Sequence, residues 1–75
     1  MTISFVLIKC VPSLEHEVYN VLSQVPEIIE LHPLFEEYDL IAKIEAADIK
    51  IIEDITKNDI RSLEGVIDTK ILTGK

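Results

Sequence analysis

The run Phe5-Val6-Leu7-Ile8 gives one strand apolar side chains on both faces. Phe5 and Leu7 point one way, Val6 and Ile8 the other, whereas an antiparallel strand with one wet face alternates apolar and polar residues. Leu40-Ile41 and Ile71-Leu72 break alternation in the same way in two later runs. A sheet made from these runs has two apolar faces. The helices of a chain of 75 residues, which is one domain, cover only one of them. The other would be a large exposed apolar patch in a monomer, so a second copy is expected to cover it, most simply by a twofold sheet-on-sheet contact.

Size points the same way. A domain this small buries only about 60% of its unfolded surface and usually needs a disulfide framework, a metal or a partner subunit. Cys10 is the single cysteine, so no disulfide forms within the chain. His16 and His32 fall into no His-x-x-x-His or Cys/His ligand set, so no metal is expected. Oligomerisation remains. The N-terminus has no basic region or cleavage site of a secretory signal, and the apolar runs fall well short of the roughly 20 residues of a membrane span. The expected location is the cytoplasm. The formal charge of −7 and the solitary Arg61 leave no basic footprint for DNA or RNA. Abundant isoleucine, glutamate and lysine is a composition of thermophile type.

The elements follow from pattern and punctuation. Residues 3–10 form a β-prone run ended by Val11-Pro12-Ser13, with Ser13 suited to a helix N-cap. Leu14, Val18, Val21, Leu22 and Val25 recur at helical spacing, and Pro26 stops this helix near Gln24. Ile28 to Phe35 is a second strand, placed at a sheet edge or bulge by Pro33. Glu36-Glu37 is short enough for a hairpin into a third strand, Tyr38 to Glu45. Asp48 caps a second helix running to about Leu63, with Ile52, Ile55 and Leu63 on one face and Glu53 and Lys57 paired at i, i+4 on the solvent side. Gly65 stops it, and Val66 to Thr73 is the fourth strand. The order β-α-β-β-α-β is the ferredoxin-like α+β pattern, two helices on one face of a four-stranded antiparallel sheet.

Catalysis finds little support. There is no Ser-His-Asp arrangement, Gly-rich phosphate loop or activated cysteine. Cys10 reads as a half-buried thiol at a strand end, and most carboxylates as solvated helix or edge positions. Glu36, Glu37 and Asp39 differ because they gather beside Tyr38 at one corner. The bland reading of that corner is a polar hairpin with Tyr38 packed on its neighbour strand. The alternative is a site that offers backbone amides and a carboxylate to a small ligand.

On these residues the chain resembles the effector-binding domain of the Lrp/AsnC family of transcription regulators, the RAM domain, over nearly its whole length. Phe35-Glu36-Glu37-Tyr38-Asp39-Leu40 resembles the family's glycine, variable residue, aromatic and aspartate opening the third strand. Arg61-Ser62-Leu63-Glu64-Gly65-Val66 resembles the junction usually written Pro-Gly-Val, and Asp68-Thr69-Lys70 the threonine-bearing start of the last strand. Three positions depart: Glu36 stands in place of glycine, Glu64 in place of proline, and Ile71 where a second threonine or serine is common. No helix-turn-helix accompanies the domain.

The resemblance implies a non-enzymatic stand-alone RAM module without cofactor. It implies homodimers joined through their sheet faces, further assembly commonly into octamers, and an amino-acid effector held between dimers. Carried over residue by residue, it places Glu36, Glu37, Tyr38 and Asp39 at a ligand-facing corner and Leu72 and Thr73 on an effector-responsive segment. In that arrangement Asp39 or Glu37 pairs with the ligand ammonium, and backbone amides of residues 36–38 hold its carboxylate. A full-length Lrp/AsnC regulator is an implied partner. Two alternatives share the strand order: a dimeric α/β-barrel monooxygenase-like enzyme, which needs a cavity between helices and sheet, and an ACT-type amino-acid-binding domain, which expects glycine after the first strand.

Overall fold

The apolar runs become four strands in the expected order. The computed structural model describes residues 1–73, with side chains through Leu72. Strands β1 (Thr2–Cys10), β2 (Ile28–Pro33), β3 (Leu40–Ala46) and β4 (Val66–Thr73) form one antiparallel sheet in the order β2-β3-β1-β4. This is the ferredoxin-like topology. Helices α1 (Glu15–Leu22) and α2 (Ile49–Ile55) cover one face. Val6, Ile8, Leu40, Ala42 and Ile44 from the sheet meet Val18, Leu22, Ile52 and Ile60 from the helical layer, all essentially inaccessible to solvent. At roughly 1.5–3 kcal/mol for each large aliphatic side chain, this layer is the main favourable term. β2 is an edge strand, as Pro33 requires, and its register shifts between Ile28 and Glu30.

Four local expectations are corrected. Ser13 caps nothing. Pro12 opens a 3₁₀ turn over Pro12–Leu14, and α1 starts without a side-chain cap. Ser13 therefore lies inside helical backbone rather than at the extended position a cap occupies. Second, Glu36-Glu37 is not a tight hairpin. Strand pairing ends at Pro33 and resumes at Leu40, and the Leu34 amide closes the longer corner onto the Asp39 carbonyl at 2.8 Å. Tyr38 and Asp39 thus precede β3 instead of opening it. Third, the second helix is not uniform. After Ile55 it widens into a π turn over Thr56–Ile60, where the Arg61 N–H donates to the Thr56 carbonyl at 2.8 Å. The Thr56 hydroxyl donates to the Ile52 carbonyl at 2.9 Å, a local bond that competes with the regular helix ladder. Fourth, Glu53 and Lys57 form no ion pair; those among the described residues join Glu30 to His32 and to Lys43.

The Asp48 cap holds, whereas the helical turns end at Ile60 rather than near Leu63, and Gly65 shapes the turn into β4 instead of stopping the helix. Asp48 is an N-cap in extended conformation whose Oδ1 accepts the Ile51 N–H at 3.0 Å. Gly65 has φ +103° and its carbonyl accepts the Val11 N–H at 2.7 Å. A Cβ there would lie 2.9 Å from Leu14 Cβ, so glycine serves both the backbone angle and the close approach of α1.

Candidate functional site

The corner of residues 34–39 is fastened to the end of β1 by bonds that span some thirty residues of sequence. The Asp39 N–H donates to the Ile8 carbonyl at 2.9 Å. Asp39 Oδ2 accepts the Cys10 N–H at 2.8 Å, beside the register shift of β1 against β4 between Lys9 and Cys10. Lys9 Nζ reaches the Glu37 carbonyl at 3.1 Å. Three separate bonds thus set the corner against the sheet, and a carboxylate accepting a backbone N–H is among the stronger kinds.

So held, the corner walls a concavity of about 240 Å³ lined by Leu7, Leu34, Glu36, Glu37, Tyr38 and Lys70. Leu7 and Lys70 are register partners on β1 and β4 and belong to the sheet face away from the helices. Two acidic residues, one lysine and two leucines thus share the lining of one hollow. That combination matches a small zwitterion. The volume is below the roughly 300–1,000 Å³ of complete small-molecule pockets, as for a minimal ligand or for a site finished by another copy.

The structure gathers Glu36, Glu37 and Tyr38, but not every residue singled out from sequence. Asp39 stands behind the hollow with its carboxylate on Cys10. Leu72 lies opposite Phe5, beyond Lys70 on the same strand face. Thr73 pairs with Ser4, and its side chain lies outside the described residues. Leu7, Leu34 and Lys70 are additions that sequence reasoning missed. Their signal was available in part: the sequence sets Leu7 on the same strand face as Phe5, but only the β1–β4 register sets Lys70 beside it. Glu36 needs no glycine-like backbone, since no non-glycine residue among those described has positive φ.

Cys10 is buried. Burial, and then the charges of Asp39 and Glu15, push its thiol up to about 11. It is protonated at neutral pH and is a poor nucleophile. Among the described residues no group of three His, Cys, Asp or Glu side chains is placed to hold a metal ion, and no helix is long and apolar enough to cross a membrane.

The Lrp/AsnC ligand binding domain model matches residues 3–73. The chain belongs to this family. It is a regulatory, ligand-binding family rather than a catalytic one. Among solved structures, the protein TTHA0845 from Thermus thermophilus is 28% identical with a TM-score of 0.94, covering 100% of this chain and 94% of that one. The hypothetical protein PHS023 from Pyrococcus horikoshii is also 28% identical, with a TM-score of 0.85, covering 100% and 90%. The transcriptional regulator NMB0573 of Neisseria meningitidis, solved as an L-Met complex, shares the fold with a TM-score of 0.89 at 14% identity; the match covers 99% of this chain and 49% of the regulator. No curated protein matches significantly.

Proposed function

We propose that this protein is a stand-alone amino-acid-binding and oligomerisation module that modulates Lrp/AsnC-type transcription regulators. The observation that carries this reading is the hollow whose lining combines Glu36 and Glu37 with Lys70, Leu7, Leu34 and Tyr38. In it Glu37 or Glu36 takes the ligand ammonium, Lys70 and the corner amides its carboxylate, and Leu7, Leu34 and Tyr38 its side chain. Asp39 acts through the corner, holding Glu37 and Tyr38 in place by its bond to Cys10. The L-Met complex of the Neisseria regulator supports the ligand class without naming the ligand here.

The hollow opens on the sheet face that also carries Ile3, Phe5 and Leu72, each more than a third exposed. A second copy on that face would bring its own residues beside the hollow, so binding and assembly are coupled. A ligand shifts assembly only by its differential affinity for the assembled state. Leu72, opposite Phe5 on that face, enters at this contact rather than at the ligand. The match to a regulatory ligand-binding domain weighs against the monooxygenase-like alternative.

The test is isothermal titration calorimetry of the protein with each of the twenty common amino acids, repeated on Glu37→Gln and Lys70→Ala. Saturable heat with one amino acid or a few, weakened in both variants, is expected. No saturable heat with any of them would overturn the reading.

A further inference from the structure

A second concavity, of about 490 Å³, lies on the opposite side of β4, between that strand and the widened end of α2. Glu53, Thr56, Lys57, Arg61, Thr69 and Ile71 line it. It shares no lining residue with the corner hollow. Lys and Arg number 7 against 14 Asp and Glu in this chain, yet two cations face this one groove, and one of them is the only arginine. Neither belongs to an ion pair among the described residues.

The backbone explains how they come to share the groove. The π turn of Thr56–Ile60 contains Lys57 and is closed by the amide of Arg61. Thr56, which is 3% exposed, anchors this turn through its hydroxyl bond to Ile52. Single π turns inside helices recur at functional sites. Across the groove β4 is the outer strand of the sheet, and it contributes Thr69 and Ile71.

We propose that this groove is a second ligand site, selective for a small anion whose carboxylate or phosphate group sits between Lys57, Arg61 and Thr69. The Arg61 guanidinium offers a planar fork that matches either group bidentately, and the Lys57 ammonium adds a compact positive charge. The Thr69 hydroxyl is a further donor. Ile71 packs against the apolar stem of the ligand. Glu53, on the same lining, opposes anions of high charge. The site is independent of the corner reading and would stand if that reading failed.

The experiment is a ¹H–¹⁵N TROSY titration of the full chain with sodium propionate and, separately, with inorganic phosphate, at an ionic strength held constant with chloride. Saturable shifts confined to the amides of residues 53–61 and 69–71, from either anion, support the site, and the anion that saturates identifies its chemistry. The double variant Lys57→Gln/Arg61→Gln, with both changes at exposed positions, should keep the melting temperature and lose at least tenfold in affinity. Glu53→Gln should tighten binding severalfold, a gain that damage to the fold does not produce. Shifts that stay linear with both anions, that persist in the double variant, or that centre on residues 34–39 would overturn the proposal.

Discussion

Gly65 decides with one missing methyl group whether the chain can leave the second helical layer and enter β4. At φ +103° any other residue is strained, and its Cβ would press on Leu14 and Val18. Gly65→Ala is therefore expected to destabilise by more than about 1 kcal/mol, read as a lowered midpoint in urea unfolding with an unchanged slope. Asp39→Ala leaves the part-buried Cys10 amide without its acceptor and should cost about 1–3 kcal/mol, while Asp39→Asn, which keeps a carbonyl oxygen, should cost less in the same assay. Cys10 gives a prediction in pH. Its thiol is raised from an ordinary value of 9.0 to about 11, so between these values the folded state binds the proton more tightly than the unfolded state. Its contribution is fully present below pH 9 and is lost as pH rises through 11. The stability of wild type should fall over that range more than the stability of Cys10→Ala, read as urea midpoints at each pH. Asp48 was legible in the sequence because a cap acts within a few residues; Gly65 reads there as a helix stop, whereas the helical turns end at Ile60 and Gly65 makes the turn into β4. The Asp39–Cys10 bond was not, because its partners are 29 residues apart and only the register of β1 joins them.

At the scale of elements, order and lengths were readable from apolar runs and from Pro12, Pro26 and Pro33, and two-sided strands stood out by their failure to alternate. What escaped were the places where a side chain competes with the backbone. Thr56 bends the second helix into its π turn, and Asp39 turns an expected two-residue hairpin into a longer corner. Membership of the corner hollow was legible for Glu36, Glu37 and Tyr38 because an aromatic and carboxylates cluster there. It was not legible for Lys70, which is distant in sequence and arrives by pairing with Leu7. Lys70→Ala should weaken amino-acid binding about tenfold, about 1.4 kcal/mol, with the melting temperature unchanged, since the residue is exposed and makes no ion pair among the described residues. An equal loss of stability and affinity would place Lys70 in the scaffold instead.

The whole molecule presents one sheet face to its helices and leaves the other open. Phe5, Leu7, Ile41 and Leu72 populate that open face, with Lys43 lying over the Phe5 ring at 6.0 Å. A stable interface typically buries about 800 Å² per partner, and Ile3, Phe5 and Leu72 on this face are each more than a third exposed. Its existence was the clearest message of the sequence, since strands apolar on both sides in so short a chain demand a second cover. Burying Phe5 at such a contact makes Phe5→Glu the sharpest disruption, because it sets an unpaired charge in the interface while sparing the core. Assembly that responds to the corner hollow is read out by multi-angle light scattering at low micromolar concentration. Wild type should run as a dimer or a multiple of it whose mass changes with the amino acid that binds, and Phe5→Glu should run as a folded monomer. A wild-type mass equal to one chain, unmoved by any of the twenty amino acids, would contradict the account.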